Sequence, residues 1–217
     1  MLKDYGMKIA VLGADTQIGK RIVLAAEDAG INVTSIVENF SESTGNGPLI
    51  IKNVKDLTAA DLSKCHAVID TLSFPYIESY SLDNLPFWHL HKLLANSLIK
   101  VIGVGSSACL YTDKKRNTFV KDMDGIHFDD CEHKHNLAVE AFLRIKEVKD
   151  LSWTLLCPPL VMDVKAYGSG RFVLSNDILP MDISGSSFIS LSDFCKSLVE
   201  LLKVGGHNHC CVGVRSL

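Results

Sequence analysis

No apolar run reaches the roughly 18 residues that would carry a helix across a bilayer, and the opening stretch MLKDYGM has no apolar core of the kind a secretion signal needs. The charge is nearly balanced, at a formal −3, and the lysines and arginines are scattered. Nucleic-acid binding calls for a basic patch or stripe, so that partner class is not expected. Internal repeats and low-complexity tracts are missing as well. Seven cysteines is an odd number, spread through predicted helices, strands and the C-terminal segment, which suits reduced thiols better than a disulfide framework. These absences point to a cytoplasmic protein that meets neither membrane nor nucleic acid. Its length suits one core and one domain over residues 1–217.

Metal-ligand spacing is also lacking. The stretches CEHKH and HNHCC concentrate Cys131, His133, His135, His207, His209, Cys210 and Cys211. Structural zinc takes paired ligands two to four residues apart on each side, and catalytic zinc takes three ligands plus water. In a C-terminal strand, alternation sends His209 and Cys211 one way and Cys210 the other. No metal site is expected.

What is present is an alternation of strands and helices. Lys8 to Leu12 is a nearly continuous apolar run, as in a central parallel strand. Ile18, Ile22, Ala25 and Ala29 then recur at helical spacing, with Gly30 where a helix stops. INVTSIV, PLIIKNV, HAVIDTL, KVIGVG and SWTLLC read as further strands, and HCCVGV as a closing one. Between them TAADLSK, Pro86 to Leu98, Asn136 to Val148 and LSDFCKSLVELL read as helices. The order predicts an α/β fold with a doubly wound parallel sheet, whose ligands lie beyond the carboxyl ends of the strands. The loops after Leu12, Val37, Leu72, Val104 and Cys157 are therefore the ones to read.

The first, Gly13-Ala14-Asp15-Thr16-Gln17-Ile18-Gly19, would aim free backbone N–H groups and a helix N-terminus at an anion. Gly13 allows the tight turn and Gly19 the close packing of helix on strand, while Thr16 adds a side chain where phosphates should approach and Asp15 adds a negative charge. Thr16 could instead donate its hydroxyl to a phosphate, and Lys20 and Arg21 could offset Asp15. A tight strand-to-helix turn needs glycine whether or not anything binds, so both readings stay open.

The segments MKIAVLGADTQIGKRIV, GINVTSIVEN, HAVIDTLS, VIGVGSSACLY, LSWTLLCPPLV and GSSFISLSDFCKSLVELL, in this order and spacing, resemble the atypical short-chain dehydrogenase/reductase proteins. Within them the chain is similar to the NADH-flavin reductase group, relatives of NmrA-like and biliverdin-reductase-B-like proteins. The resemblance implies an NAD(P)-binding Rossmann fold with a small C-terminal substrate-side portion. It also implies a cofactor site at Gly13, Asp15, Thr16, Gln17, Ile18, Gly19, Glu38, Leu72, Ser73, Ser106, Ser107 and Pro158. The family turn reads G-A-T-G-x-I-G, so Asp15 and Thr16 depart from it.

Where many relatives carry an arginine for the 2′-phosphate of NADP, this chain has Glu38, which suits the ribose hydroxyls of NAD(H) over NADP(H); an exposed strand-end glutamate is the other reading. The Tyr-x-x-x-Lys pair of carbonyl-reducing relatives is absent from CEHKHNLAVEAF, where His133 and Leu137 do not replace it. His133 is either a substitute acid or a solvated residue near a helix start. Ser106 and Ser107 would lie near the nicotinamide, against a reading as ordinary loop caps. Pro158 and Pro159 would shape that wall, and MDVKAYGSGRF would cover the substrate with Tyr167 or Phe172 stacked on it. No catalytic residue is assigned.

Two functions follow from these residues. One is an NAD(P)H-dependent reductase passing hydride to a flavin or quinone-like small molecule. The other is a non-catalytic dinucleotide-binding or regulatory protein with a degenerate loop.

Overall fold

Lys8–Leu12 (β1) sends Ile9 and Val11 to one face and Ala10 and Leu12 to the other, all buried. That double burial explains its unbroken apolar run. The structure, a computed structural model, describes residues 6–39, 45–123 and 132–217. Gln17–Asp28 (α1) follows and turns Ile18, Ile22, Val23 and Ala26 to the Ile9 face. It ends as the sequence indicates, with Gly30 N–H donating to Glu27 O and Ile31 N–H to Ala26 O. Asn32–Val37 (β2) and Leu49–Ile51 (β3) then extend the sheet on one side of β1.

After the short helix Ala59–Leu62 (α2), the chain crosses back to Ala67–Asp70 (β4) on the other side of β1. Pro86–Leu94 (α3), Lys100–Val104 (β5), Glu132–Ile145 (α4) and Trp153–Cys157 (β6) continue outward. The short strands Val161–Asp163 (β7), Phe172–Asn176 (β8) and Phe188–Ser190 (β9) precede Leu191–Val204 (α5) and Cys210–Ser216 (β10). The sheet order is β3-β2-β1-β4-β5-β6-β10-β8, parallel except for the β10–β8 pair, and β7 and β9 make a separate parallel pair. This is a mostly parallel doubly wound α/β domain, Rossmann-like in its strand order. One core lies under α3 and α4 and holds Phe87, Phe142 and Trp153, and the other lies under α1 and α5 and holds Ile22, Phe194 and Leu198.

Three boundaries differ from the sequence reading. The third helix stops at Leu94 rather than Leu98, because Ala95 is extended and Asn96 takes a left-handed turn, leaving Leu98 fully exposed. The fourth runs from Glu132 to Ile145, earlier at both ends than Asn136 to Val148. Strands β7, β8 and β9 were not expected, since two have three residues and the third is a half-exposed edge without alternation. Among the described residues no helix is long and apolar enough to cross a membrane.

Candidate functional site

Because the chain leaves β1 toward β2 and returns through β4, the loops after β1 and β4 part from each other and leave a crevice between them. The β1 loop is fixed from behind, since the Gly13 and Ala14 N–H groups donate to Ile36 O at 3.0 and 3.2 Å. Gly13 has φ +73°, and a Cβ there would stand 2.6 Å from Leu72 Cδ2. At Gly19 a Cβ would stand 2.1 Å from Gly13 O, so the helix is packed on the turn more closely than any side chain permits.

Thr16 is the helix N-cap. Its hydroxyl donates to Gly13 O at 2.7 Å and accepts from Gly19 N–H at 3.0 Å. The hydroxyl proton is thus committed inside the loop, which corrects the expectation that it serves as a phosphate donor. The N–H groups of Gln17 and Ile18, in the first turn, have no acceptor within the helix. Arg21 does not offset Asp15, for it lines the groove between α1 and α5 instead.

Two cavities flank this loop. The first, about 270 Å³, runs from Gly13, Asp15 and Thr16 to Glu38, Leu72 and Tyr80. Glu38 follows β2 directly and accepts from Asn53 Nδ2 at 3.0 Å, which holds its carboxylate at the rim. Lys52 also reaches this cavity, but both Asp61 oxygens lie 2.8 Å from its ammonium. The lysine and the Thr58 hydrogen bonds bring Asp61 down to about 2.

Asp70, at the end of β4, is buried. It accepts from Leu72 N–H at 2.9 Å, from Ser73 N–H at 3.0 Å and from the Ser73 hydroxyl. Burial pushes its acidity to higher pH against those bonds. Ser73 Oγ in turn accepts from Phe87 N–H at 2.9 Å. Leu72 therefore lines the first cavity, whereas Ser73 ties β4 to α3 and lines neither.

The second cavity, about 440 Å³, opens on the other side. Gln17, Ile18, Ser106, Ser107 and Pro158 line it, so the expected loops after β1, β5 and β6 do converge there. Ser106 also caps its own turn, accepting from Ala108 N–H at 3.2 Å. The sequence reading missed Phe74, Tyr76, Lys134 and His135 in this lining. Tyr76 belongs to both cavities.

His133 is exposed and lines neither cavity, and Leu137 packs against the core. A helical signal could have found Lys134 and His135. They lie four and three residues before Ala138, the first residue of the buried stripe Ala138, Ala141, Phe142 and Ile145, and so continue that stripe into the first turn of α4.

Of the expected cover, Met162 lines this cavity and the segment after it does not. Tyr167 is fully exposed, and Phe172 lies in β8 against the α1–α5 core. Buried Asp193 holds the intervening turn instead, accepting from Ser169 and Gly170 N–H, each at 2.8 Å.

Cys211 faces one core and Cys210 packs against the other, and His209 Nε2 meets Leu151 O at 2.9 Å. No group of three or more histidines, cysteines or carboxylates among the described residues is arranged to hold a metal, and Cys131 lies outside those residues. Burial raises the Cys195 thiol to about 12 and Cys210 to about 11, so both are poor nucleophiles.

No family model matches the chain. In structure it is similar to a proposed NADH-flavin reductase from Streptococcus pneumoniae TIGR4, with a TM-score of 0.87 and 26% identity over 98% of this chain and 100% of that one. The chain is thus similar to atypical NAD(P)-binding Rossmann-fold oxidoreductases, a group related to NADH-flavin reductase-like and epimerase-like proteins. The uncharacterized protein YwnB of Bacillus subtilis (strain 168) is 24% identical over 213 residues, 94% of this chain and 95% of its own. A proposed epimerase from Bacteroides thetaiotaomicron aligns over 98% of each chain with a TM-score of 0.82, and at 20% identity that likeness speaks to the fold. This likeness supports a general oxidoreductase role.

Proposed function

We propose that the chain holds NAD(H) across the two cavities and serves hydride transfer to a flavin or quinone-like aromatic acceptor. The observation that carries this reading is the pair of cavities on either side of one helix N-terminus, sharing Tyr76, at the crevice where strand order reverses. The residues fit a dinucleotide. Gly13 leaves the turn without a side chain, and the Gln17 and Ile18 N–H groups offer donors to a diphosphate. Glu38, oriented by Asn53, offers acceptors to ribose hydroxyls and repels a 2′-phosphate, while Asp61 cancels the charge of Lys52.

When bound, a reduced nicotinamide supplies the hydride. Around the acceptor, Phe74, Tyr76, Pro158 and Pro159 give flat apolar walls, and Lys134 and His135 supply donors. The Tyr-x-x-x-Lys pair of carbonyl-reducing relatives is absent. A delocalised ring that takes hydride and draws its proton from these residues or from solvent suits this lining better than a simple ketone.

Calorimetric and thermal-shift titrations with NAD, NADH, NADP and NADPH test the binding step, since a ligand of the native state raises its stability. NADH oxidation against flavins, quinones and simple carbonyls tests turnover. No shift with any dinucleotide at millimolar concentration would overturn the reading. The capped Gly19 N–H favours the second function, a dinucleotide-binding protein without turnover. Silence across the acceptor panel despite NADH binding would select it.

A further inference from the structure

The two cavities differ in charge. Asp15 and Glu38 stand at the first, where Asp61 neutralises Lys52. The second has Lys134 and His135 in its lining and, among the described residues, no carboxylate. Lys134 is half-buried, and its ammonium donates to the Pro75 carbonyl at 2.9 Å. Among the described residues no carboxylate lies within ion-pair distance of it, whereas Lys52 and Lys121 each have one and Arg144 has two. A carbonyl fixes an ammonium without cancelling its charge. Beside low-dielectric walls such a charge attracts anions more strongly than it would in open water. An ammonium has three donors, so Lys134 can keep Pro75 and still meet an oxyanion.

Besides Gln17, Ser106 and Ser107 the lining is mostly apolar and in part flat, with Phe74, Tyr76, Pro158, Pro159, Leu160 and Met162. We infer that the acceptor is an aromatic molecule bearing an anionic substituent, and that Lys134 is the specificity-determining residue that reads that charge. The inference rests on the reductase reading above for calling the occupant an acceptor. It concerns binding alone, so no bond is made or broken in it.

Riboflavin and FMN are the probes, because they share one ring system and differ by a phosphate. Quenching of flavin fluorescence by the full chain is measured with and without saturating NAD. FMN should bind about tenfold more tightly than riboflavin, equivalent to about 1.4 kcal/mol, and added salt should narrow the gap. In Lys134→Met the FMN advantage should vanish while riboflavin binding stays, and Lys134→Arg should restore it. Lys165→Met, at an exposed lysine outside the cavity, should keep the advantage.

Equal binding of the two flavins to the unaltered chain overturns the inference, as does an FMN preference that survives Lys134→Met or a failure of both flavins to bind. NADH titration of the same proteins examines the dinucleotide assignment separately. Its failure would sink that assignment and leave the comparison of the two flavins standing on its own.

Discussion

Replacing Thr16 by glycine should weaken the fold and tighten the cofactor at once. The Thr16 hydroxyl accepts from Gly19 N–H at 3.0 Å and donates to Gly13 O at 2.7 Å. Glycine at an N-cap costs only a few tenths of a kcal/mol relative to threonine. Loss of the bond to Gly13 O adds about 0.5–1.5 kcal/mol, the net worth of an ordinary hydrogen bond. A total near 1 kcal/mol corresponds to a fall in Tm of about 2–4 °C for a chain of this size. Against this, Gly19 N–H joins Gln17 and Ile18 N–H as a donor at the helix N-terminus. A hydrogen bond to a charged group is worth about 1.5–3 kcal/mol, part of which replaces hydration, so NADH should bind about tenfold more tightly.

Thermal unfolding without ligand and calorimetry with NADH read the two effects separately. Thr16→Ser, which keeps the cap, should bind NADH like the unaltered chain. Asp15→Thr added to Thr16→Gly should tighten binding further. An unchanged or weaker NADH affinity in Thr16→Gly would refute the reasoning. If Thr16→Ser tightened binding as much as glycine did, the cause would be the threonine methyl rather than the committed donor.

Most strands read from sequence are buried on both faces, and the exposed edge strand β3 is legible as well from its apolar run Leu49 to Ile51. Ile9 to Leu12, Val68 to Asp70 and Val101 to Val104 form runs that a parallel interior strand requires, and Gly30 marks the end of α1. The switch point then followed from strand order, and with it the loops to inspect. Sequence spacing does not carry side-chain direction at a turn, which is why Thr16 read as an intrusion on the phosphates although it caps its own helix. Ser73 read as a cofactor contact for a similar reason, since its partners Asp70 and Phe87 become visible as partners only when β4 and α3 meet. Lys134 and His135 reach the second cavity from the first turn of α4. The segment after Met162 misled because Asp193, more than twenty residues later, holds Ser169 and Gly170 away from the cavity.

Gly19→Ala places a Cβ 2.1 Å from Gly13 O. It should lower stability by about 3 kcal/mol, at the high end for overpacking, with both Tm and NADH binding reduced; unchanged values for both would show that the helix can withdraw from the turn. Asp61, lowered from 3.8 to about 2 by Lys52 and Thr58, lends stability that is present above about pH 4 and lost as pH falls through about 2. With the lysine partly exposed the pair is worth under about 1 kcal/mol at neutral pH, and Asp61→Asn should flatten denaturation midpoints between pH 4 and 2; an unchanged acid slope counts against the pairing. Glu38→Arg should reverse the preference of the chain from NADH to NADPH. At about 4 Å in water-like surroundings each pair of unit charges repels by about 1 kcal/mol, so a doubly charged 2′-phosphate facing Glu38 loses about 2 kcal/mol, near thirtyfold in affinity. Arginine turns that repulsion into attraction and releases Asn53 from the carboxylate it now holds. Paired calorimetric titrations of both proteins with NADH and NADPH measure the change, and tighter binding of NADPH than NADH by the unaltered chain would show that Glu38 does not face the 2′ position.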